Sequence, residues 1–221
     1  MPYRAVIFDL DGTLLDTIED LTDSMNAALA AMGFPRKTVD ECKQLVGDGL
    51  TTFIHRALPP EVADDPEAAR RLREGMRAEY RRRNTWKTRA YPGIPELLEA
   101  LSLERIPLAI LSNKPHDSTR DVVRKFFPGI DFKAVFGARE EVPVKPDPSG
   151  AVEIARLLGL APAEILYVGD TNTDMRTAGA AGMFAVGVLW GFRTADELRA
   201  NGARALISRP DELFDILKTA G

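Results

Sequence analysis

Ala5-Val6-Ile7-Phe8-Asp9-Leu10-Asp11-Gly12-Thr13 decides the fold of this chain. A short unbroken apolar run that ends in a turn has the pattern of a strand buried on both faces of a parallel sheet. Two carboxylates at its C-terminal tip carry a desolvation cost unless a cation or a chemical task offsets it. In an open parallel α/β sheet that tip borders the ligand crevice. Gly12 lets the chain turn sharply there, and Thr13 adds a hydroxyl beside the carboxylates. The plainer alternative is a strand end closed by an Asx-turn, since Asp-Gly is a common turn pair.

The same arrangement recurs further along. Ile106-Pro107-Leu108-Ala109-Ile110-Leu111 is an apolar run ending in Ser112-Asn113-Lys114, and Ile165-Leu166-Tyr167-Val168 ends in Gly169-Asp170, followed by Thr171-Asn172-Thr173-Asp174. Between them, Glu141-Val142-Pro143-Val144-Lys145-Pro146-Asp147-Pro148 sets one lysine in a proline-stiffened loop before a helical pattern. Strand-like runs at 4–10, 107–112, 133–136, 164–169 and 183–188 alternate with helical patterns at 94–104, 116–127, 148–159 and 173–181. Such alternation predicts an α/β core, a Rossmann-like parallel sheet covered by helices on both faces.

Residues 16–88 break the alternation. Leu21, Met25, Ala28, Leu29 and Met32 keep helical spacing before Gly33, and further helices are expected at 38–45, 49–57 and 66–83. The chain therefore divides into a core of residues 1–15 and 89–221 and an inserted all-helical cap of residues 16–88 on a two-stranded hinge. The arginines between Arg70 and Arg83 are interspersed with Glu74 and Glu79, which suits intrahelical pairing on a solvated face better than a phosphate track.

Lys and Arg number 29 against 33 Asp and Glu among 221 residues, a net charge of −4 that argues against general nucleic-acid affinity. The single Cys42 excludes an internal disulfide and a cysteine zinc cluster, and it suits a reducing compartment. The N-terminal apolar run is too short for a signal peptide, and no stretch is long enough to span a bilayer. These features predict a soluble, cytoplasmic protein without nucleic-acid or membrane partners; whether it is a monomer or a dimer they do not specify.

In this order the four clusters resemble the haloacid dehalogenase superfamily of phosphotransferases, in its phosphatase branch, over the whole chain. The resemblance implies that Asp9 is the nucleophile, forming an aspartyl phosphate, and that Asp11 is the general acid and base. Mg2+ would be held by Asp9, the backbone carbonyl of Asp11, Asp170 and Asp174, the last directly or through a water. Ser112 and the backbone N–H of Asn113 would bind the transferring phosphoryl oxygens, Lys145 would neutralise both phosphate and Asp9, and Thr13 would help to orient Asp11. An aspartate at position 11 selects phosphate esters over the halide and phosphonate substrates of other branches.

Further segments look like the phosphoglycolate phosphatases of that branch: Leu45-Val46-Gly47-Asp48-Gly49, His55-Arg56-Ala57-Leu58, Tyr91-Pro92-Gly93 and Leu189-Trp190-Gly191-Phe192-Arg193. The expected substrate is a small phosphorylated metabolite, 2-phosphoglycolate, with Gly47, Asp48 and Gly49 of the cap near it and the closed cavity compact. Pyrophosphatases and sugar-phosphate phosphatases or mutases of the superfamily share core and cap and remain alternatives. A phospho-accepting signalling module would not need the cap or Asp11. A Ser112–His116 hydrolase would need a nucleophile elbow that is absent.

Overall fold

The structure, a computed structural model, describes residues 3–219. β1 (Ala5–Phe8) leads through a two-residue strand β2 (Leu15–Asp16) into helices α1 (Ile18–Ala31), α2 (Val39–Leu45), α3 (Leu50–Ala57) and α4 (Pro66–Arg83), and the chain returns through β3 (Arg89–Ala90). Alternation then resumes with α5 (Ile94–Leu103), β4 (Leu108–Pro115), α6 (His116–Phe126), β5 (Phe132–Ala138), α7 (Ser149–Leu158) and β6 (Ile165–Gly169). The chain ends with α8 (Asn172–Ala181), β7 (Phe184–Val188), α9 (Ala195–Ala200), β8 (Ala205–Ile207) and α10 (Leu213–Thr219).

The main sheet is parallel, in the order β5-β4-β1-β6-β7-β8. β1 lies between β4 and β6, with Val6 beside both Leu108 and Leu166. Its residues alternate between two apolar layers: Val6 and Phe8 pack with Leu98, Leu108 and Ile110, while Ala5 and Ile7 pack with Ala109, Ile154 and Met175. The chain runs from β1 to β4 and β5 on one side, then to β6, β7 and β8 on the other. That change of direction puts the tips of β1, β4 and β6 around one crevice.

The helices between β2 and β3 share a separate apolar cluster, in which Leu72, Met76 and Tyr80 of α4 meet Leu21, Met25 and Leu29 of α1. Their ends follow local chemistry. Thr38 and Glu41 form a capping box at the start of α2, and Asp65 caps α4 with Pro66 at its first position. β2 and β3 pair antiparallel, Leu15 with Ala90 and Asp16 with Arg89. Beside this hinge, buried Asp20 accepts hydrogen bonds from the backbone N–H groups of Lys87 and Thr88 and from the Thr88 hydroxyl at 2.7 Å.

The strand expected at 4–10 is shorter, because the chain leaves the ladder at Asp9. The strand expected at 107–112 runs on to Pro115, since Pro115 still pairs with Ala138 of β5. Edge strand β8 and helices α9 and α10 have no counterpart in the sequence-based expectation; the apolar run Ala205-Leu206-Ile207 is only three residues long, too short to stand out. Among the described residues no helix is long and apolar enough to cross a membrane. Replacing Asp20 with Ala strands buried N–H donors at the hinge, so the urea unfolding midpoint should fall by the equivalent of about 1–3 kcal/mol. An unchanged midpoint would show that Asp20 does not hold the hinge.

Candidate active site

Asp9 stands at the tip of β1, buried, with Oδ1 2.9 Å from the ammonium of Lys145. Lys145 also donates to Asp174 Oδ1 at 2.7 Å. Asp170 follows β6, and Asp174 lies in the first turn of α8, where Thr171 donates to it from backbone and hydroxyl. Oxygens of Asp9, Asp170 and Asp174 all lie within 4.8 Å of one another. Two neighbours fix Asp170: the Thr13 hydroxyl donates to Oδ1 at 2.9 Å and the Phe192 N–H to Oδ2 at 2.8 Å. Glycine is required on both sides of it. A Cβ on Gly12, whose φ is 90°, would come within 2.3 Å of Asp170 Oδ2, and one on Gly191 within 2.2 Å of its Cβ.

Burial, reinforced by Asp174, pushes the Asp9 carboxyl up to about 7. Burial also holds Asp170 well above the usual carboxylate range, with Asp174 and Asp9 adding to the effect. Burial works against the charge on Lys145, but Asp174 and Asp9 outweigh it and raise this group well above its ordinary value. One ammonium thus faces three clustered carboxylates. Asp9 Oδ1, although close to Lys145, has no hydrogen-bond donor in good geometry. An excess of negative charge and an all-oxygen donor set fit a hard divalent cation held by Asp9, Asp170 and Asp174.

Asp11 is outside this cluster. Its two oxygens each lie 2.9 Å from the Nζ of Lys114, which is buried and sits 4.5 Å from the centre of the Tyr80 ring on α4. Asp11 and Tyr80 together keep the Lys114 ammonium charged despite the opposing effect of burial. Lys114 is the functional residue the sequence reading missed; its place at the end of the strand-tip triplet Ser112-Asn113-Lys114 was the available signal. Ser112 lies at the same tip, its hydroxyl accepting from the Lys114 N–H. The Asn113 side chain is a staple: Nδ2 donates to the carbonyls of Gly47 and Lys145, and Oδ1 accepts from the Lys145 N–H. The Lys145–Pro146 peptide is cis.

Two expectations need correction. The Thr13 hydroxyl is fully buried and bonded to Asp170, so it neither orients Asp11 nor reaches a phosphate. Asp48 does not point its carboxylate into the cleft; it is paired with Arg56 and accepts from the Thr173 hydroxyl, fastening the cap loop to the core. Gly47 and Gly49 do line the cleft. The cleft between cap and core has a volume of about 740 Å3 in this arrangement of the two parts. His116 is not a catalytic base for Ser112: its Nδ1 accepts from the Gly137 N–H. His55 is exposed and paired with Asp64.

Trp190-Gly191-Phe192-Arg193 joins the two parts of the molecule. Trp190 donates to the carbonyl of Thr13, Phe192 inserts its ring into the apolar cluster of the cap, and Arg193 donates to the carbonyls of Lys43 and Val46 at the end of α2. In sequence the segment carried only a resemblance; that it carries both a carboxylate-holding N–H and a cap anchor is a tertiary fact.

A cluster of strand-tip carboxylates with one buried lysine, under a helical cap, defines a class of α/β enzyme built for transfer of an anionic group with a cation. The family model for haloacid dehalogenase-like hydrolases matches residues 6–188, and the chain belongs to that family, as an enzyme of its phosphatase type. It is 32% identical over 218 residues to the phosphoglycolate phosphatase of Chromobacterium violaceum, covering 97% of this chain and 96% of that one. With the phosphoglycolate phosphatase of Photobacterium profundum it shares 31% over 221 residues, covering 98% and 96%. A crystal structure from Lactobacillus delbrueckii subsp. bulgaricus, provisionally assigned as a phosphoglycolate phosphatase, superposes with a TM-score of 0.92 at 30% identity over the full length of both chains.

The raised Asp9 carboxyl has a stability consequence whose sign is fixed. In metal-free buffer the folded state keeps a proton that the unfolded chain releases, so stability is lost as pH climbs from the ordinary value of 3.8 to about 7. Asp9→Asn mimics the neutral group. Its melting temperature should therefore rise relative to wild type across that window and level off above it. A gap that widens toward acid instead would contradict the assignment.

Proposed function

We propose that this enzyme is an Mg2+-dependent phosphomonoesterase acting through an aspartyl phosphate on Asp9, with 2-phosphoglycolate as substrate. The observation that carries the reading is the buried Asp9 carboxylate beside Lys145, with Asp11 held separately by Lys114. An Asp9 oxygen attacks phosphorus, the bond to the leaving oxygen breaks, and that oxygen takes a proton from Asp11. Water then gives its proton to Asp11 and attacks phosphorus, breaking the bond to Asp9 and releasing phosphate. Two different settings suit two different tasks. Asp9 faces a fixed ammonium and an incoming phosphoryl group, whereas Asp11 sits at the cleft wall within reach of the leaving group.

Lys145 counters the repulsion between Asp9 and the phosphate, and Ser112 with the Asn113 N–H would receive the phosphoryl oxygens. Mg2+ held by Asp9, Asp170 and Asp174, with the Asp11 carbonyl, would supply further charge compensation for the transferring group. The phosphoglycolate phosphatases matched over nearly their whole length support the choice of substrate. A small phosphorylated metabolite is then the only partner the reading needs, and a lone buried Cys42 accords with a reducing cytoplasm.

Asp9→Asn should abolish both turnover and acid-stable trapping of labelled phosphate on the protein. Retained turnover would refute the nucleophile. Chelation of divalent cations should stop catalysis and Mg2+ restore it. Asp11→Asn should slow hydrolysis of alkyl phosphates by at least ~10²-fold, and of activated aryl phosphates much less. An equal loss for both would show that Asp11 does not transfer the proton. In a panel of phosphomonoesters and pyrophosphate, phosphoglycolate should have the highest kcat/KM; a hexose phosphate or pyrophosphate above it would overturn the substrate but not the chemistry.

A further inference from the structure

The arginines of α4 fall into two groups. Arg70 pairs with Glu67 and Glu74, and Arg82 and Arg83 pair with Glu79, as intrahelical ion pairs on an outer face. Arg77 and Arg81, one turn apart, instead line the cleft that holds Asp9, Asp11 and Ser112. Neither has an ion pair or hydrogen bond among the described residues. The other cations lining the cleft are committed: Lys114 to Asp11, and Arg139 to Glu153. Lys145, at the floor, is committed to Asp9 and Asp174.

Their position is tied to one end of the substrate. Tyr80 lies between them in sequence, its ring 4.5 Å from the Lys114 ammonium, which in turn is 2.9 Å from Asp11. Asp11 is the proposed donor to the leaving oxygen, so the leaving group must project toward this turn of α4. The cleft is also lined by Asp117, Asp121 and Glu140, of which Asp121 is paired with Arg124. Of the charged side chains lining the cleft, Arg77 and Arg81 are the ones that would attract an anionic leaving group.

From this placement we infer that Arg77 and Arg81 are specificity residues that bind a carboxylate on the leaving group of the substrate. The inference rests on the phosphomonoesterase reading and deepens it, because it names the residues that would select an acid phosphate over a neutral one. A guanidinium presents paired N–H donors that match a planar carboxylate, and two of them one helical turn apart converge on one small anion. Both side chains are exposed and solvated, so their preference for an anion comes from paired N–H donors and charge, not from relief of burial.

The test compares 2-phosphoglycolate with 2-hydroxyethyl phosphate, which replaces the carboxylate by a neutral group of similar size. Wild type should prefer phosphoglycolate in kcat/KM. That preference ratio should fall roughly tenfold or more in Arg77→Ala and in Arg81→Ala, and further in the double variant, mostly through KM. Lysine at either position should recover part of it. Should both substrates lose in proportion, with the ratio unchanged, the arginines would instead latch cap to core through Asp117 or Glu140, and the inference fails. It fails equally if wild type has a preference that the variants retain. If wild type has no preference for phosphoglycolate, the substrate reading itself falls. Thermal midpoints of these surface variants should match wild type, separating specificity from folding.

Discussion

Three carboxylates with little or no access to water and one ammonium among them set the main constraint on this molecule. Asp9, Asp170 and Asp174 crowd within 4.8 Å, and only Lys145 is fixed among them. Such a cluster is costly in a folded protein without a cation. The surrounding chain can be understood as what makes it tolerable. Thr13, Thr171 and the Phe192 N–H each donate to a carboxylate oxygen, and Gly12 and Gly191 leave room where any side chain would collide. Asn113 ties down the loop that delivers Lys145.

The second feature that organises the molecule is how closely cap and core are joined at the cluster. Asn113, which positions the lysine loop, also donates to Gly47 of the cap. Thr173, one residue before Asp174, donates to Asp48. Phe192, whose N–H holds Asp170, buries its ring in the cap, and the next residue, Arg193, closes the end of α2. Tyr80 of α4 covers the lysine that holds Asp11. Each of these contacts lies within one residue, or one bonded neighbour, of a group that holds a carboxylate of the site. A displacement of these helices would disturb the charge cluster through the shared residues, a route by which an insertion can act on chemistry in the core.

Much of this was legible beforehand. Buried parallel strands leave continuous apolar runs, so β1, β4 and β6 and the polar residues at their tips stood out, and with them Asp9, Asp11, Ser112, Lys145, Asp170 and Asp174. Helical periodicity over 16–88 marked the insertion. Less legible were residues whose role is a contact with a distant segment. Thr13 looked like a neighbour of Asp11 because the two are close in sequence, yet the turn at Gly12 aims its hydroxyl at Asp170. Lys114 was given no role, because its partner Asp11 lies 103 positions away. Arg77 and Arg81 were indistinguishable from the paired arginines beside them, since the same composition serves a solvated face and a cleft wall.

By itself the sequence determined the elements, the strand tips that carry charge and the class of chemistry, because these depend on local periodicity and on residue types whose burial is costly. Only the tertiary structure decided the partners. Which carboxylate receives which donor, which lysine serves Asp11 and which serves Asp9, and which arginines face the cleft all depend on side chains meeting from segments 29 to 157 positions apart. No periodicity records those meetings. They follow from the change of direction at β1, which brings three strand tips together, and from the packing of α4 across them.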